Sequence, residues 1–346
     1  MPASPSQPLF IGLGELLWDM LPRGRKLGGA PANFAYHANA LGAHARIVSC
    51  VGGDQAGTDI LAQAARLGLS TDFIGVDPAH PTGTVDVTLD AAGTPAYLIH
   101  EDVAWDFIAW TKEMKALAAA AAAVCFGSLC QRSTVSRQTI RRVLDATGPE
   151  CLRVFDVNLR QKHFSREVIV ESLKRSSVLK INDEELPVVA QVLGLPAGEE
   201  AAVRQLMRDF PLRVVALTRG AHGSSLFSAD DASHLPAYPA VVKDTVGAGD
   251  AFTAALVAGL TRGLPLQEIN AAASRMAAFV CTQEGATPPY PAELRSLYPF
   301  TPPRRIPCRT STALQARISM TPSARKSKPA SPTRSRNMRA SPSNGS

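Results

Sequence analysis

The chain has 346 residues and 45% hydrophobic content, which is room for one large α/β domain or two smaller ones with an ample core. Its formal charge of +6 is uneven. Residues 302–346 hold ten Lys or Arg and no Asp or Glu, leaving 26 basic against 30 acidic residues elsewhere, a net −4 that argues against a nucleic-acid-binding globular part. The six cysteines are scattered without a C-x-x-C pair, which excludes a disulfide framework or zinc site by pattern. The alanine run at 116–124 is too short to span a membrane, and the short polar N-terminus has no signal-peptide pattern, so a cytoplasmic protein is expected.

In chain order, residues 10–13 read as a first buried strand, ended by Gly12-Leu13-Gly14. A dinucleotide motif is incomplete there, because Leu17 stands where the third glycine belongs. Asp19 interrupts an apolar stretch, either as a solvated turn residue or as a ligand. Gly28-Gly29-Ala30-Pro31-Ala32-Asn33 then opens a helix that Gly42 ends, with proline suited to the first turn and the paired glycines open to close approach. Asn33 offers a donor and an acceptor and reads equally as a cap or as a ligand for vicinal hydroxyls. His37 reads as a packed or surface histidine.

Residues 84–89 alternate, Val85, Val87 and Leu89 against Thr84, Asp86 and Thr88; a turn at 91–93 leads to a return strand at 94–99. A half-polar hairpin is out of place in a parallel core and predicts a separate small sheet. Trp105, Phe107 and Trp110 read as packing beneath it in preference to a pocket wall. Strands follow at 122–127, at 153–157 with Asp156-Val157-Asn158-Leu159-Arg160 at its end, at 178–181 before Asn182-Asp183-Glu184-Glu185, and at 214–217. Strands alternating with helices indicate an α/β fold, a doubly wound and mostly parallel sheet flanked by helices. Ligands collect beyond the carboxyl ends of such strands, where Asn158 and Arg160 fall. The acidic group at 182–185 suits a hard cation, or simply a helix N-terminus. Thr218-Arg219-Gly220-Ala221-His222-Gly223 suits a nucleotide-binding turn, or any β-hairpin.

The most informative stretch is Asp244-Thr245-Val246-Gly247-Ala248-Gly249-Asp250-Ala251-Phe252-Thr253, which opens a helix closed by Gly263 and Pro265. Free amides at a helix N-terminus bind anions, and a carboxylate among them is better suited as a base toward a hydroxyl than as a phosphate ligand. The alternative makes Asp250 a plain cap. Gly285-Ala286-Thr287-Pro288 breaks the last apolar helix, at 269–280. Residues 300–346 turn to Ser, Pro, Arg and Lys; with so little to bury they are expected to be a disordered tail, more simply an extension without function than a nucleic-acid or anionic-surface contact.

Residues 244–253 resemble the C-terminal signature of the ribokinase-like (PfkB) family of carbohydrate kinases, and 28–57, with Val51-Gly52-Gly53-Asp54-Gln55-Ala56-Gly57, resemble its N-terminal signature. The resemblance implies a sugar kinase domain over 9–299, with a small β-sheet lid built from strands within 15–27 and 83–100. It implies Asp250 as base, an anion hole at Gly247, Ala248 and Gly249, and sugar contacts from Asp19, Gly28, Gly29, Asn33, Asn158 and Arg160. ATP is expected at Asn182, Glu185, Thr218, Arg219, Gly220 and Gly223, with positive charge from Arg160 or Arg219. Glu185 is expected to reach Mg²⁺ through water, and backbone at Asp244, Val246 and Gly285 to hold a monovalent cation such as K⁺. The partners implied are a small sugar and ATP, with neither membrane nor nucleic acid, and the lid is the expected surface for a homodimer. No G-x-x-x-x-G-K-[ST], and no H-R-D with D-F-G, points to another phosphoryl-transfer design. Asp-x-Asn-x-Arg at 156–160 and Gly14-Glu15 are most similar to fructokinase-type members, with 2-keto-3-deoxygluconate kinase and ribokinase as rivals. A non-catalytic sugar binder is the alternative outside enzymes, and the intact Asp250 weighs against it.

Overall fold

The computed structural model describes residues 7–21, 24–89 and 95–297. The side chains of Val87 and Leu89, the turn at 91–93, Cys308 and the basic segment from 300 onward, all subjects of expectations above, lie outside them.

Strand β1 (Leu9–Leu13) is followed by the hairpin β2 (Leu17–Leu21) and β3 (Gly24–Gly28), then α1 (Ala30–Ala40), β4 (His44–Gly52), α2 (Gln55–Arg66) and β5 (Ile74–Asp77). The hairpin β6 (Gly83–Leu89) and β7 (Pro95–Ile99) precedes α3 (Lys112–Ala120), β8 (Ala123–Phe126), α4 (Thr134–Asp145), β9 (Leu152–Asp156) and α5 (Arg166–Arg175). Next come β10 (Val178–Asn182), α6 (Glu185–Leu193), α7 (Glu199–Asp209), β11 (Val214–Thr218), β12 (Ser224–Phe227) and β13 (Ala232–Leu235). The segment closes with α8 (Ala248–Thr261), α9 (Leu266–Cys281) and the short α10 (Ala292–Arg295).

Nine strands form one sheet in the order β13-β12-β11-β10-β9-β8-β1-β4-β5. All neighbours are parallel except β11–β12 and β12–β13, so the fold is the doubly wound, mostly parallel sheet expected. The strand order reverses beside β1, the point at which such folds open a crevice.

Period-two alternation sorts each strand between two cores. Phe10, Ala123, Cys125, Leu152, Val154, Val178, Val214 and Ala216 join one cluster with residues of α1, α2, α8 and α9. Ile11, Leu13, Val124, Phe126, Phe155, Leu179, Ile181, Val215 and Leu217 join the other, with residues of α3 to α7. The Val, Leu, Ile and Phe side chains among them each contribute on the order of 1.5–3 kcal/mol by leaving water, so the alternation fixes register as well as fold. Gly12, half of the incomplete dinucleotide motif, has a packing role: a Cβ there would overlap the Pro31 carbonyl at the start of α1.

The second sheet, β3-β2-β6-β7, is the predicted small one. It is mixed, since β2 and β6 run parallel while the two hairpins are antiparallel. Leu17, Val85 and Ile99 seat it on the second core beside Trp105, which is 1% exposed and confirms packing over a pocket wall. Phe107 stacks on His80 instead. In the N-terminal signature, Asp54 is structural: it caps α2 through the Gly57 amide and accepts from both the amide and hydroxyl of Thr82. Cys50, Cys125, Cys130, Cys151 and Cys281 are all free thiols, as their spacing implied. No helix among the described residues is long and apolar enough to cross a membrane.

Candidate active site

The carboxyl ends of β1, β8, β9, β10 and β11 share one edge, and nearly every candidate residue emerges there or from the segments that follow. Helix α8 meets this edge with its N-terminus. Residues Ala251 through Gly259 are all buried, so the helix is clamped along its length and its first turn has little freedom. Gly247 is its N-cap, with φ +81°; a Cβ there would fall 2.7 Å from the Ala286 backbone, so only glycine fits.

Asp250 is not a cap. No side-chain cap bond forms at this helix, and Asp250 Oδ2 accepts instead from Asn33 Nδ2 at 2.9 Å. The same bond removes the cap reading for Asn33, whose Oδ1 is buried with no hydrogen-bond partner among the described residues. Burial pushes the Asp250 carboxyl up to about 7, with the Asp156 carboxylate adding to the rise and Asn33, Lys180 and Arg160 opposing it. A group titrating near neutrality is well matched to taking a proton from an alcohol.

Asp19 lies within β2, opposite Lys26 of β3, not in a turn. Gly28 clears its space, since a Cβ there would overlap Asp19 Oδ2. Burial pushes the Asp19 carboxyl up to about 6, with Arg160 opposing. Gly29 is the N-cap of α1, four residues before Asn33. Asn158 has a left-handed backbone at φ 45° and accepts from the Ser128 hydroxyl through its carbonyl. Arg160 is exposed, forms no ion pair among the described residues, and acts electrostatically on Glu15, Asp19 and Asp250 together. Asp19, Asn33, Arg160 and Asp250 are thus gathered in one place.

Glu185 is buried and clasps two strand ends: Oε2 accepts from the Asn182 amide and Oε1 from the Leu159 amide, each at 3.0 Å. Asn182 Oδ1 in turn accepts from the amides of Glu184 and Glu185. The helix-terminus alternative therefore holds for this stretch. Each carboxylate oxygen keeps a lone pair, so the donor set fits a hydrated Mg²⁺ met through water and not a directly ligated one. No group of three or more His, Cys, Asp or Glu among the described residues is placed to hold a metal ion. Asp244 draws the proposed monovalent-cation segments together, its two oxygens accepting from the Val246 and Gly285 amides at 3.0 and 2.9 Å.

Thr218 lies beside Asn182 in the parallel register of β10 and β11. The turn holding Gly220 and Gly223 joins antiparallel β11 and β12, so it is also the hairpin that its glycines allowed. The Arg219 guanidinium is engaged by Glu199 and by the Ser225 hydroxyl, at 2.9 and 3.0 Å, whereas Lys180 and Arg160 are the cations that act on Asp250. His37 is fully buried and bonded to the Tyr290 hydroxyl at 2.7 Å, and burial lowers its pKa to about 3.

Four polar residues to which the sequence assigns no role of their own also stand here. Lys180 Nζ pairs with Asp156 Oδ1 at 3.0 Å, and the Thr253 hydroxyl donates to Asp156 Oδ2 at 2.9 Å. Glu15, 2% exposed, has an Oε2 without a hydrogen-bond partner among the described residues; burial raises its pKa, and the Ala30 amide at the start of α1 counters this. Charged residues at apolar positions of buried strands were the available signal for Asp156 and Lys180.

An anion-receptive helix terminus with a carboxylate poised near neutrality suits transfer of a charged group to an alcohol, the work of a small-molecule kinase. The profile of the pfkB family carbohydrate kinase matches residues 23–293, and the chain belongs to that family of ATP-dependent phosphotransferases. A sugar kinase of Pyrococcus horikoshii is 31% identical over 297 residues, covering 80% of this chain and 91% of that protein. Its crystal structure in complex with ATP superposes with a TM-score of 0.68 at 28% identity, covering 81% and 94% of the two chains. A fructokinase of Klebsiella pneumoniae is 30% identical over 266 residues, 73% of this chain and 85% of that one. An aminoimidazole riboside kinase of Salmonella typhimurium is 27% identical over 307 residues, 82% and 93% of the two chains.

Proposed function

We propose that this kinase transfers the γ-phosphoryl group of ATP to a hydroxyl of a free sugar, fructose first among them, with Asp250 as the base. The observation that carries this is the Asn33–Asp250 bond at the mouth of α8: a carboxylate excused from capping, aimed by a side chain from the other signature, with a pKa near 7.

Asp19, Gly29 and Asn33 hold the sugar, the unfilled Asn33 Oδ1 accepting from one hydroxyl. Asp250 takes the proton of the attacking hydroxyl as the phosphoryl group arrives. Phosphoryl transfer passes through a loose transition state, so aim and charge matter more than base strength. The amides of Gly247 and Gly249 receive the developing charge, each such donor lowering the barrier by about 2–4 kcal/mol; that of Ala248 donates to the Thr245 carbonyl at 3.2 Å and joins them only by leaving it. Asn158 and Arg160 border the sugar, and Thr218 with the turn through Gly223 meets the nucleotide. Mg²⁺, when bound, would neutralise phosphate charge, its waters met by Glu185, with Asn182 holding the start of that helix in place. K⁺, when bound, would rest on backbone of Asp244, Val246 and Gly285 and hold that loop in shape.

Fructose is favoured by Asp-x-Asn-x-Arg at 156–160, by Gly14-Glu15 and by the fructokinase relative. A second reading, 2-keto-3-deoxygluconate, is supported by Arg160, an exposed cation without an ion pair among the described residues that could bind a sugar acid's carboxylate. A coupled ADP-release screen over fructose, ketodeoxygluconate, ribose, aminoimidazole riboside, adenosine and hexose phosphates tests both. Turnover with none of them would refute the proposal.

A further inference from the structure

On the sheet face that packs against α8, the inward positions of β9 and β10 read Leu152, Val154, Asp156 and Val178, Lys180. Neighbouring strands fill this face with Ala123 and Cys125, and with Val214 and Ala216. The pattern calls for two more apolar side chains, and a buried ion pair stands there instead, its partners 9% and 7% exposed. Such a pair is weak evidence for stability, because desolvation offsets most of the attraction and apolar replacements are often as stable.

The pair is also oriented. Lys180 Nζ lies 3.2 Å from the point where a Cβ on Gly249 would sit, directly against the anion-hole turn. Asp156 is its one hydrogen-bond acceptor among the described residues, so an ammonium with three donors spends one of them. The far oxygen of Asp156 lies 2.9 Å from the Thr253 hydroxyl, which shares its single proton between that oxygen and the Gly249 carbonyl, also at 2.9 Å. The positive end of this buried dipole therefore meets the start of α8, and the negative end is tied one turn further along the helix.

We propose that Lys180 is a positioning residue for phosphoryl transfer: Asp156 aims its buried ammonium at Gly249 and Asp250, so that positive charge stands behind the anion hole before the phosphoryl group arrives. Fixed charge placed ahead of the reaction needs no reorganisation during it, and a low-dielectric site magnifies it. The ammonium also eases ionisation of Asp250, against the pull of Asp156 in the other direction. Burial opposes the charge on the lysine, and the Asp156 carboxylate 3.0 Å away sustains it.

The inference rests on the kinase reading above, and the test separates the two. Lys180→Met leaves Asp156 buried and alone, and misfolding there would be uninformative, so the decisive protein is the neutral pair Lys180→Met with Asp156→Asn. That variant is expected to melt at or above the wild-type temperature, with kcat lowered by about 10–100-fold and KM for sugar and ATP within about threefold of wild type. Calorimetry supplies a readout apart from turnover. Affinity for ADP with aluminium fluoride and sugar should fall by a similar factor, with ADP alone unaffected. Undiminished kcat in the folded neutral pair, or a loss carried by KM alone, would show the pair to be merely structural and overturn the inference. A wild type that turns over no sugar would overturn the kinase reading itself.

Discussion

If burial holds the Asp250 carboxyl at about 7, against 3.8 in an unfolded chain, the native state bears a cost that Asp250→Asn removes. Below pH 3.8 both states carry the proton and the cost vanishes. As pH rises, the unfolded chain ionises first, so the native state loses stability until its own carboxyl ionises near 7, and the loss is constant above that. At about 1.4 kcal/mol per pH unit the full effect is about 4 kcal/mol at pH 8, and at pH 5 it is less than half of that. The amide is nearly isosteric and can still accept from Asn33 through its oxygen, so little else changes. Asp250→Asn should therefore lower kcat by about 10²–10⁴-fold and raise the melting temperature at pH 8 by several degrees, at about 2 °C per kcal/mol for a domain of this size. Its advantage should shrink by half or more at pH 5. Wild-type kcat/KM should fall about tenfold per pH unit below 7. Scanning calorimetry of both proteins from pH 5 to 8, beside initial rates, measures all of this. A variant no more stable than wild type at pH 8, or equally advantaged at both pH values, would refute the buried-base argument; near-normal turnover would refute the base.

Asp19→Ala should raise KM for the sugar by about ten- to a hundredfold through loss of charge-assisted bonds in a dry pocket, leaving KM for ATP unchanged; equal losses for both substrates in initial-rate measurements would remove Asp19 from the sugar clamp. Arg160→Ala should move the acid limb of kcat/KM to higher pH, because Arg160 favours the ionised forms of both Asp19 and Asp250; an unmoved limb would mean that Arg160 points elsewhere in solution. Gly247→Ala forces a side chain into a left-handed position against the Ala286 backbone and should cost about 1–3 kcal/mol of stability with most of the activity; a thermal scan that overlays wild type would contradict that geometry.

The parts of this site that were legible in the sequence are those whose chemistry is local. Gly247, Gly249 and Asp250 declare a helix terminus within four residues, and the alternation at 84–89 announced a second sheet. The ion pair of Arg219 is not legible there, because a sequence displays a charge without its partner, and Glu199 lies in a helix 20 residues earlier. Lys180 was overlooked for a related reason. In a five-residue strand a lone lysine reads as one that snorkels to the edge, and only the pairing of β9 with β10 places Asp156 beside it. Whether Asn33 and Asp250 were caps or ligands turned on a contact between the two signatures that neither contains alone.

That contact spans 217 residues, and its span bears on how the enzyme is made. During synthesis the chain emerges N-terminus first, so α1 is complete long before α8 exists. Until then Phe34, Ala35 and Ala38 lack the later helices with which they share a core. The nascent chain thus carries an apolar face that stays open for most of translation, which is where chaperone engagement or aggregation should concentrate. On the mechanism proposed above it also lacks its base. By that mechanism a product cut short ahead of residue 250 would not phosphorylate a sugar however well its early strands pair, and catalytic competence would arrive late.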